Sequence, residues 1–224
     1  MNYSEFFRKF GGSGRTKNIQ KPFLRGWWRS RKRGYRPTFR LPSQSLLPKE
    51  FIRLCPWEME FLFLLSSRAR AGILEIGRFN GGSSFLMSCA NDVVPIYSID
   101  IAPKDDALLQ TFFAANGVGK NVHLIIGDSQ RGKFDAVKGF DLLFIDGDHS
   151  YDGCMRDIEN WYGQLLPGGI MLFHDSYLGG EGVQDAVIDF VAKHPELETI
   201  ASPYIGASYW RNPTGSMAAF RKMR

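Results

Sequence analysis

Short apolar runs alternate with longer helical segments through the middle of the chain, and this alternation limits the folds available to it. The apolar runs lie at 72–76, 94–99, 122–126, 141–145 and 170–173. Strands that are almost continuously apolar, with helices between them, build a parallel sheet covered on both faces. The tail at 204–223 has turn formers between two strand-like runs, which predicts a closing antiparallel hairpin. The chain is therefore expected to have an α/β fold.

The segments between the apolar runs predict amphipathic helices. The fourth segment places Met155, Ile158, Trp161, Tyr162, Leu165 and Leu166 on one face at helical spacing. The helices are expected at 56–67, 83–91, 104–116, 151–166 and 182–194, with a short further segment near 130–138.

Charge divides the chain into a basic head and a mildly acidic body. Residues 1–40 hold 12 of the 28 Lys and Arg but only one of the 23 Asp and Glu. We predict an N-terminal extension at 1–48, rich in Arg, Gly and aromatic residues, followed by one domain at 49–224. The extension is interpreted as a lid over the site, or as a segment that contacts an anionic substrate, a membrane surface or a second copy. The acidic body disfavours a nucleic-acid partner.

Cysteine usage and hydropathy point to a cytoplasmic protein, with peripheral membrane contact as the alternative. The three cysteines form no CxxC pair, so neither a disulfide framework nor a zinc site is predicted. The longest apolar runs are far shorter than the roughly 20 residues of a membrane-spanning helix.

A glycine-rich turn, EIGRFNGGSS, follows the first apolar run. Glycines at this point let the backbone turn tightly and approach a ligand, although ordinary turn chemistry is the competing explanation. The dinucleotide fingerprint GxGxxG is absent because Phe79 stands where its middle glycine would be, which disfavours a nicotinamide-dependent oxidoreductase.

Polar residues also follow each later apolar run. Asp100 follows the second and Asp128 with Ser129 the third, while Asp146 opens the group after the fourth and His174 the group after the fifth. Each could be a solvated turn or a helix cap. Ligands of such sheets bind at the carboxyl ends of the strands, so the joint pattern predicts one site along this edge.

The ordered motifs LEIGRFNGGSS, YSIDIAP, GDSQ and DLLFIDGDHSYDG…PGGIMLFHD resemble the class I S-adenosylmethionine-dependent methyltransferases. They resemble more closely the small O-methyltransferases that act on macrolide and aminocoumarin sugars, together with the cephalosporin-hydroxylase-like proteins. The resemblance covers about residues 50–195. It implies a Rossmann-like, doubly wound, mostly parallel seven-stranded sheet with a C-terminal antiparallel hairpin and helices on both faces.

The resemblance also assigns cofactor contacts for S-adenosylmethionine. Asp100 would hold the ribose, Asp128 and Ser129 would lie along the adenine, and Asp146 would face the amino-acid end. The full set of expected cofactor residues is Glu75, Gly77, Phe79, Gly81, Ser83, Asp100, Ile101, Asp128, Ser129 and Asp146.

A divalent cation, Mg²⁺ or Mn²⁺, would be held by Asp146, His174 and Asp175 if the resemblance extends to metal binding. A base must also remove the proton of the accepting hydroxyl. Sugar-modifying relatives have an aspartate at Asp148, so this residue is the expected base. His149 is the alternative because it aligns with the basic residue of catechol O-methyltransferase and titrates nearer neutrality.

The expected activity is methyl transfer to a hydroxyl of a small molecule, a sugar or glycolipid unit. One histidine and two aspartates are also the ligand set of non-haem iron oxygenases, so a hydroxylase on the same scaffold is the first alternative. A non-catalytic protein that only binds the cofactor is the second.

Overall fold

A computed structural model describes residues 51–132, 134–176, 182–201 and 215–224 of the chain. The described helices are Pro56–Ser66 (α1), Gly82–Ala90 (α2), Asp106–Asn116 (α3), Tyr151–Tyr162 (α4) and Val183–Lys193 (α5). The described strands are Ile73–Ile76 (β1), Ile96–Asp100 (β2), Val122–Ile126 (β3), Phe140–Ile145 (β4), Leu165–Phe173 (β5), Leu197–Ala201 (β6) and Ala218–Lys222 (β7).

The strands form one seven-stranded sheet in the order β3-β2-β1-β4-β5-β7-β6. Strands β1 to β5 pair in parallel, whereas β7 runs antiparallel between β5 and β6. The chain order reverses between β1 and β4, where β1 pairs with β2 on one side and β4 on the other. Such switch points are where ligands bind in open α/β sheets. The predicted Rossmann-like fold class is confirmed.

The core lies on both sides of the central strands. All four residues of β1 are buried, and the last four of β4 are buried as well. Trp161 of α4 stacks on Phe134 and contacts Phe140, and all three aromatic rings belong to or pack against the main hydrophobic cluster. The aromatic face predicted for the fourth helix therefore covers the sheet, as the spacing of its apolar residues indicates.

Three expected boundaries differ from the structure. Helix α4 ends at Tyr162, because Leu165 already pairs with Phe140 as the first residue of β5. Residues 130–132 and 134–138 contain turns and no helix. The hairpin partner of β7 is Leu197–Ala201, while the expected partner around 204–210 lies outside the described residues.

Contacts between Cα atoms divide the chain into two units, Met1–Phe51 and Ile52–Arg224, and every named element belongs to the second. The predicted roles of the basic extension at 1–48 fall outside the described residues. Within the described ranges, no helix has the length and apolar character needed to cross a membrane.

Candidate active site

The glycine-rich turn between β1 and α2 passes directly against the end of β4. Gly77 has φ +85°, and a Cβ atom there would lie 2.1 Å from the backbone oxygen of Asp146. Gly81, at φ +79°, leaves room for Leu109 of α3, whose side chain would be 2.3 Å from a Cβ. Both positions therefore need glycine for conformation and for space. The turn is fixed in place, with the amino end of α2 beginning at Gly82.

Glu75 lies fully buried beneath this turn and does not face a ligand. Its carboxylate accepts hydrogen bonds from the hydroxyls of Ser83, Ser84 and Ser98, the last at 2.5 Å. Burial raises the pKa of Glu75, and the serine hydroxyls oppose that shift. Glu75 and Ser83 therefore hold the turn in place, because their polar atoms join α2 to β1 and β2. Any contribution of these two residues to the expected cofactor site is through the position of the turn.

Arg78 is buried in the turn and ties it to three other elements. Its guanidinium forms two hydrogen bonds with Asp106, at 2.8 and 2.6 Å, and donates to the carbonyls of Ser98 and Ile125 at 2.8 and 2.9 Å. An arginine between glycines gives no sequence signal of burial, so the sequence does not predict this role. Paired with Asp106 on α3, Arg78 holds the turn as a preformed loop.

Asp100 lies at the end of β2 and orders the same loop. One oxygen accepts the backbone N–H groups of Arg78 and Phe79 at 2.9 and 2.8 Å, and the other accepts that of Ala102 at 2.7 Å. A carboxylate offers about four acceptor positions, so acceptor capacity remains for a ligand hydroxyl. The neighbouring Ile101 is 68% exposed and offers an apolar surface beside it.

Asp128 and Ser129 follow β3, and the structure directs them differently. Asp128 pairs with Arg131 at 2.9 Å on the surface. The Ser129 hydroxyl turns inward and donates to Asp157 of α4 at 2.6 Å, and the Ser129 carbonyl accepts from the indole of Trp161 at 3.1 Å. Burial raises the pKa of Asp157 to about 6. The position of Asp128 and Ser129 along the adenine stays a prediction, with the Ser129 hydroxyl itself directed at Asp157.

The ends of β4 and β5 bring Asp146, His149, His174 and Asp175 together. One oxygen of Asp146 lies 3.0 Å from His174 Nδ1 and 3.4 Å from His149 Nε2. Asp175, at a left-handed φ of +49°, places a carboxylate oxygen 3.2 Å from His174 Nδ1 and 3.8 Å from His149 Nδ1. The structure thus brings together side chains that follow two neighbouring strands, and the strand ends predict one site along this edge.

The electrostatics of the cluster favour charged side chains. Burial raises the pKa of Asp146, but the charges of His174 and His149 and their hydrogen bonds together outweigh burial, and the net shift is downward. The hydrogen bond to Asp146 raises the pKa of His149. Burial lowers the pKa of His174, yet Asp146, Asp175 and Glu58 together raise it well above the ordinary value.

Glu58 of α1 is a member of the site that sequence reasoning missed. It is 2% exposed, and one of its oxygens lies 3.3 Å from His174 Nε2. The other oxygen accepts from the backbone and the hydroxyl of Ser216, both at 2.7 Å. Burial raises the pKa of Glu58, but His174 and Ser216 outweigh it and lower the pKa to about 2. Both ring nitrogens of His174 therefore face carboxylates.

Three side chains of this cluster could hold a metal ion, and the set differs from the expected one. Asp146, His149 and Asp175 each offer a ligand atom, and these atoms lie within 4.8 Å of one another. His174 is the expected third ligand, but its two nitrogens are directed at Asp146 and Glu58. In the described part of the chain, His149 takes the position that the sequence predicts for His174.

Asp148, the expected base, points away from this cluster. It is exposed, and its carboxylate accepts from the backbone N–H of Ser150 at 2.9 Å and from the side chain of Gln130 at 3.3 Å. The Ser150 backbone hydrogen bond lowers the pKa of Asp148. Asp148 therefore shapes the entry into α4, whereas His149 faces the acids at the ends of β4 and β5.

Comparisons with known proteins agree with this architecture. Residues 74–176 match the family model of a methyltransferase domain. An uncharacterized protein of Acanthamoeba polyphaga mimivirus is 32% identical over 133 residues, which cover 53% of this chain and 58% of the viral protein. An uncharacterized protein of Sinorhizobium fredii is 35% identical over 72 residues, covering 31% of this chain and 8% of that protein. The matches thus span less than two thirds of either curated relative.

Solved structures share the fold at low sequence identity. The O-methyltransferase NovP superposes with a TM-score of 0.64 at 16% identity, covering 93% of this chain and 98% of NovP. Cofactor-bound Rv0187 from MTB superposes with a TM-score of 0.60 at 19% identity, covering 91% and 97% of the two chains. Residues 74–176 therefore match a methyltransferase domain, and the seven-stranded sheet shares the Rossmann-like fold of these solved structures.

Proposed function

We propose that this chain is an S-adenosylmethionine-dependent O-methyltransferase acting on a hydroxyl of a small molecule, a sugar or glycolipid unit. The observation that carries the proposal is the contact between Gly77 and Asp146. A Cβ at Gly77 would overlap the backbone of Asp146, so the glycine loop and the acid–base cluster form one continuous site. A site that must bring a methyl donor to a hydroxyl needs this adjacency.

The cofactor's adenosine part would lie across the ends of β1 and β2. The remaining acceptor capacity of Asp100 suits the hydroxyls of a ribose, and the exposed Ile101 suits the face of an adenine. Backbone N–H groups at the beginning of α2 would receive the amino-acid part. In this arrangement the amino group lies toward Asp146, whose lowered pKa keeps it negative.

We propose His149 as the base, in place of Asp148. Asp146 accepts from His149 and orients the ring, as carboxylates do for catalytic histidines. Its raised pKa makes the neutral imidazole a stronger proton acceptor than Asp148, whose pKa is lowered by the Ser150 amide. The proton of the accepting hydroxyl would pass to the His149 ring as the oxygen attacks the methyl carbon.

A divalent cation fits the same cluster by charge and by donor type. Glu58, Asp146 and Asp175 carry three negative charges against one on protonated His174, which leaves an excess of two with neutral His149. Two carboxylate oxygens and an imidazole suit Mn²⁺ or Mg²⁺. When bound, such an ion orients a hydroxyl and lowers its pKa. Asp146, His149 and Asp175 would then be its protein ligands. Neutral His149 has a single lone pair, so base catalysis by His149 belongs to the metal-free site.

Replacing His149 by glutamine is expected to slow methyl transfer by about 10²- to 10⁴-fold, the usual contribution of a general base. The assay follows labelled methyl transfer from S-adenosylmethionine to a panel of free sugars and catechol. Asp148→Asn is the matched control, with an expected loss below about 10-fold because its carboxylate only holds Ser150 and Gln130. A larger loss in Asp148→Asn than in His149→Gln would reinstate Asp148 as the base.

Mn²⁺ is expected to raise the melting temperature of the protein, since an ion at 100 times its Kd stabilises the folded state by about 2.7 kcal/mol. Asp175→Asn should lose most of this shift, whereas Asp152→Asn, on the first turn of α4 and outside the cluster, should keep it. The same shift in both variants would contradict an ion site at Asp175, and no shift in the unmodified protein would argue for methyl transfer without a metal.

A further inference from the structure

The ring of Phe79 is an exposed aromatic surface at the tip of the glycine-rich turn. It is 40% exposed, and its backbone has a left-handed φ of +49°. For a bulky residue this conformation costs about 1–3 kcal/mol and persists only where the surroundings impose it. Strained backbone of this kind concentrates at ligand sites.

The backbone around Phe79 is held on both sides. Its N–H donates to Asp100 at 2.8 Å, and its carbonyl accepts the backbone N–H of Lys104 at 3.0 Å. The preceding residue, Arg78, is locked by Asp106. The ring therefore projects from a loop whose position is fixed before any ligand arrives, so the contacts it makes are part of a preformed surface.

Two cations converge on this one ring. The guanidinium carbon of Arg53 lies 5.2 Å from the ring centroid, and the ammonium of Lys104 lies 5.5 Å from it. Both distances allow cation–π attraction. We name Arg53, Phe79 and Lys104 the cationic clamp.

Neither cation of the clamp forms an ion pair within the described ranges of the chain. Arg78, Arg131 and Arg221 are each paired with an aspartate or glutamate, but neither Arg53 nor Lys104 pairs with a carboxylate there. Two like charges near one ring repel each other, and an anion placed between them removes that repulsion. The clamp is thus suited to a carboxylate ligand.

We propose that the cationic clamp binds the carboxylate of the amino-acid end of S-adenosylmethionine. This proposal rests on the proposed function. The amino-acid end is a zwitterion. The glycine turn carries the clamp at Phe79, and Gly77 of the same turn lies against the backbone of Asp146, which bears an acidic side chain. The clamp would receive the carboxylate and Asp146 the ammonium. Ligands that carry adenosine without the amino acid would gain nothing from either surface.

The test compares two ligands by calorimetric titration of the full chain. S-adenosylhomocysteine carries the carboxylate, and 5′-methylthioadenosine carries the same thioether-linked adenosine without the amino acid. The double variant Arg53→Met, Lys104→Met should bind S-adenosylhomocysteine at least about 10-fold more weakly, because charge-assisted contacts to the carboxylate are lost. Its affinity for methylthioadenosine should change by less than about 2-fold. Lys120→Met, which removes an exposed cation on the α3–β3 turn, should leave both affinities unchanged.

The outcomes separate this proposal from the proposed function. If the unmodified protein binds neither ligand, the methyltransferase function itself fails. Suppose that the unmodified protein binds both ligands. If the double variant then keeps both affinities, or loses both to the same extent, the clamp does not bind the carboxylate. The proposal is supported if the double variant loses affinity for S-adenosylhomocysteine alone and Lys120→Met binds both ligands as the unmodified protein does.

Discussion

Gly77→Ala is expected to abolish cofactor binding and to destabilise the fold more than any other single change in the glycine turn. The added methyl group would lie 2.1 Å from the Asp146 backbone oxygen and 2.8 Å from the Gly147 Cα atom. This backbone is restrained because the Asp146 N–H donates to the Ile76 carbonyl of β1 at 2.8 Å. The left-handed φ adds about 1–2 kcal/mol. We expect a total loss above about 3 kcal/mol in the free energy of unfolding, measured by urea denaturation.

Gly117→Ala provides the matched control for conformation without the steric overlap. Gly117 ends α3 at a similar left-handed φ of +66°, and nothing lies within 4 Å of a Cβ built there. Its alanine variant should lose only the conformational part, about 1–2 kcal/mol, and should keep cofactor affinity. Equal losses in the two variants would show that the contact between the turn and the end of β4 is not tight.

Glu58→Ala is expected to destabilise the protein by about 3–5 kcal/mol, because it leaves the buried His174 charge without one of its partners. It also removes the acceptor for the Ser216 backbone and hydroxyl groups. Glu198→Gln is the control, since Glu198 forms a half-exposed pair with Arg221 at 3.0 Å. Pairs of that kind contribute at most about 1 kcal/mol. A loss in Glu58→Ala no larger than in Glu198→Gln would contradict the buried pair.

Acid sensitivity gives a second measurement on Glu58. Its pKa is about 2 in the folded protein against 4.5 ordinarily, so its contribution is present above pH 4.5 and is lost as the pH falls toward 2. The difference corresponds to about 3 kcal/mol. The raised pKa of His174 acts in the opposite direction, with stability present below pH 6.5 and lost as the pH rises through its folded value. Glu58→Gln should flatten the acid limb of a stability–pH curve.

The strands that build the site could be predicted from the sequence because parallel strands in a covered sheet are apolar on both faces. Strand β3 has the predicted bounds, and β1, β2 and β4 differ from them by two residues or fewer. Strand β6 was missed because it lies at the sheet edge and carries Glu198 and Thr199, so it lacks a continuous apolar run. Edge strands are stabilised by pairing more than by burial.

The residues of the site likewise divide into those that could be predicted from the sequence and those that could not. Asp146, His149, His174 and Asp175 could be found because they directly follow apolar runs. Glu58 could not be found in this way, because it lies 116 positions before His174 in the sequence. Its helix has the sequence pattern of an ordinary buried element. The choice between Asp148 and His149 also depends on the structure. The two residues are adjacent, and only the turn into α4 decides that Asp148 bonds Ser150 while His149 faces Asp146.

Titration calorimetry of S-adenosylmethionine into the purified full chain, with the nicotinamide dinucleotide as the comparison ligand, tests whether this chain binds the methyl donor. We expect one binding site per chain with a Kd near micromolar, about −8 kcal/mol, and a loss of that binding in Gly77→Ala but not in Gly117→Ala. Absence of S-adenosylmethionine binding to a folded protein, or tighter binding of the nicotinamide dinucleotide, would contradict it.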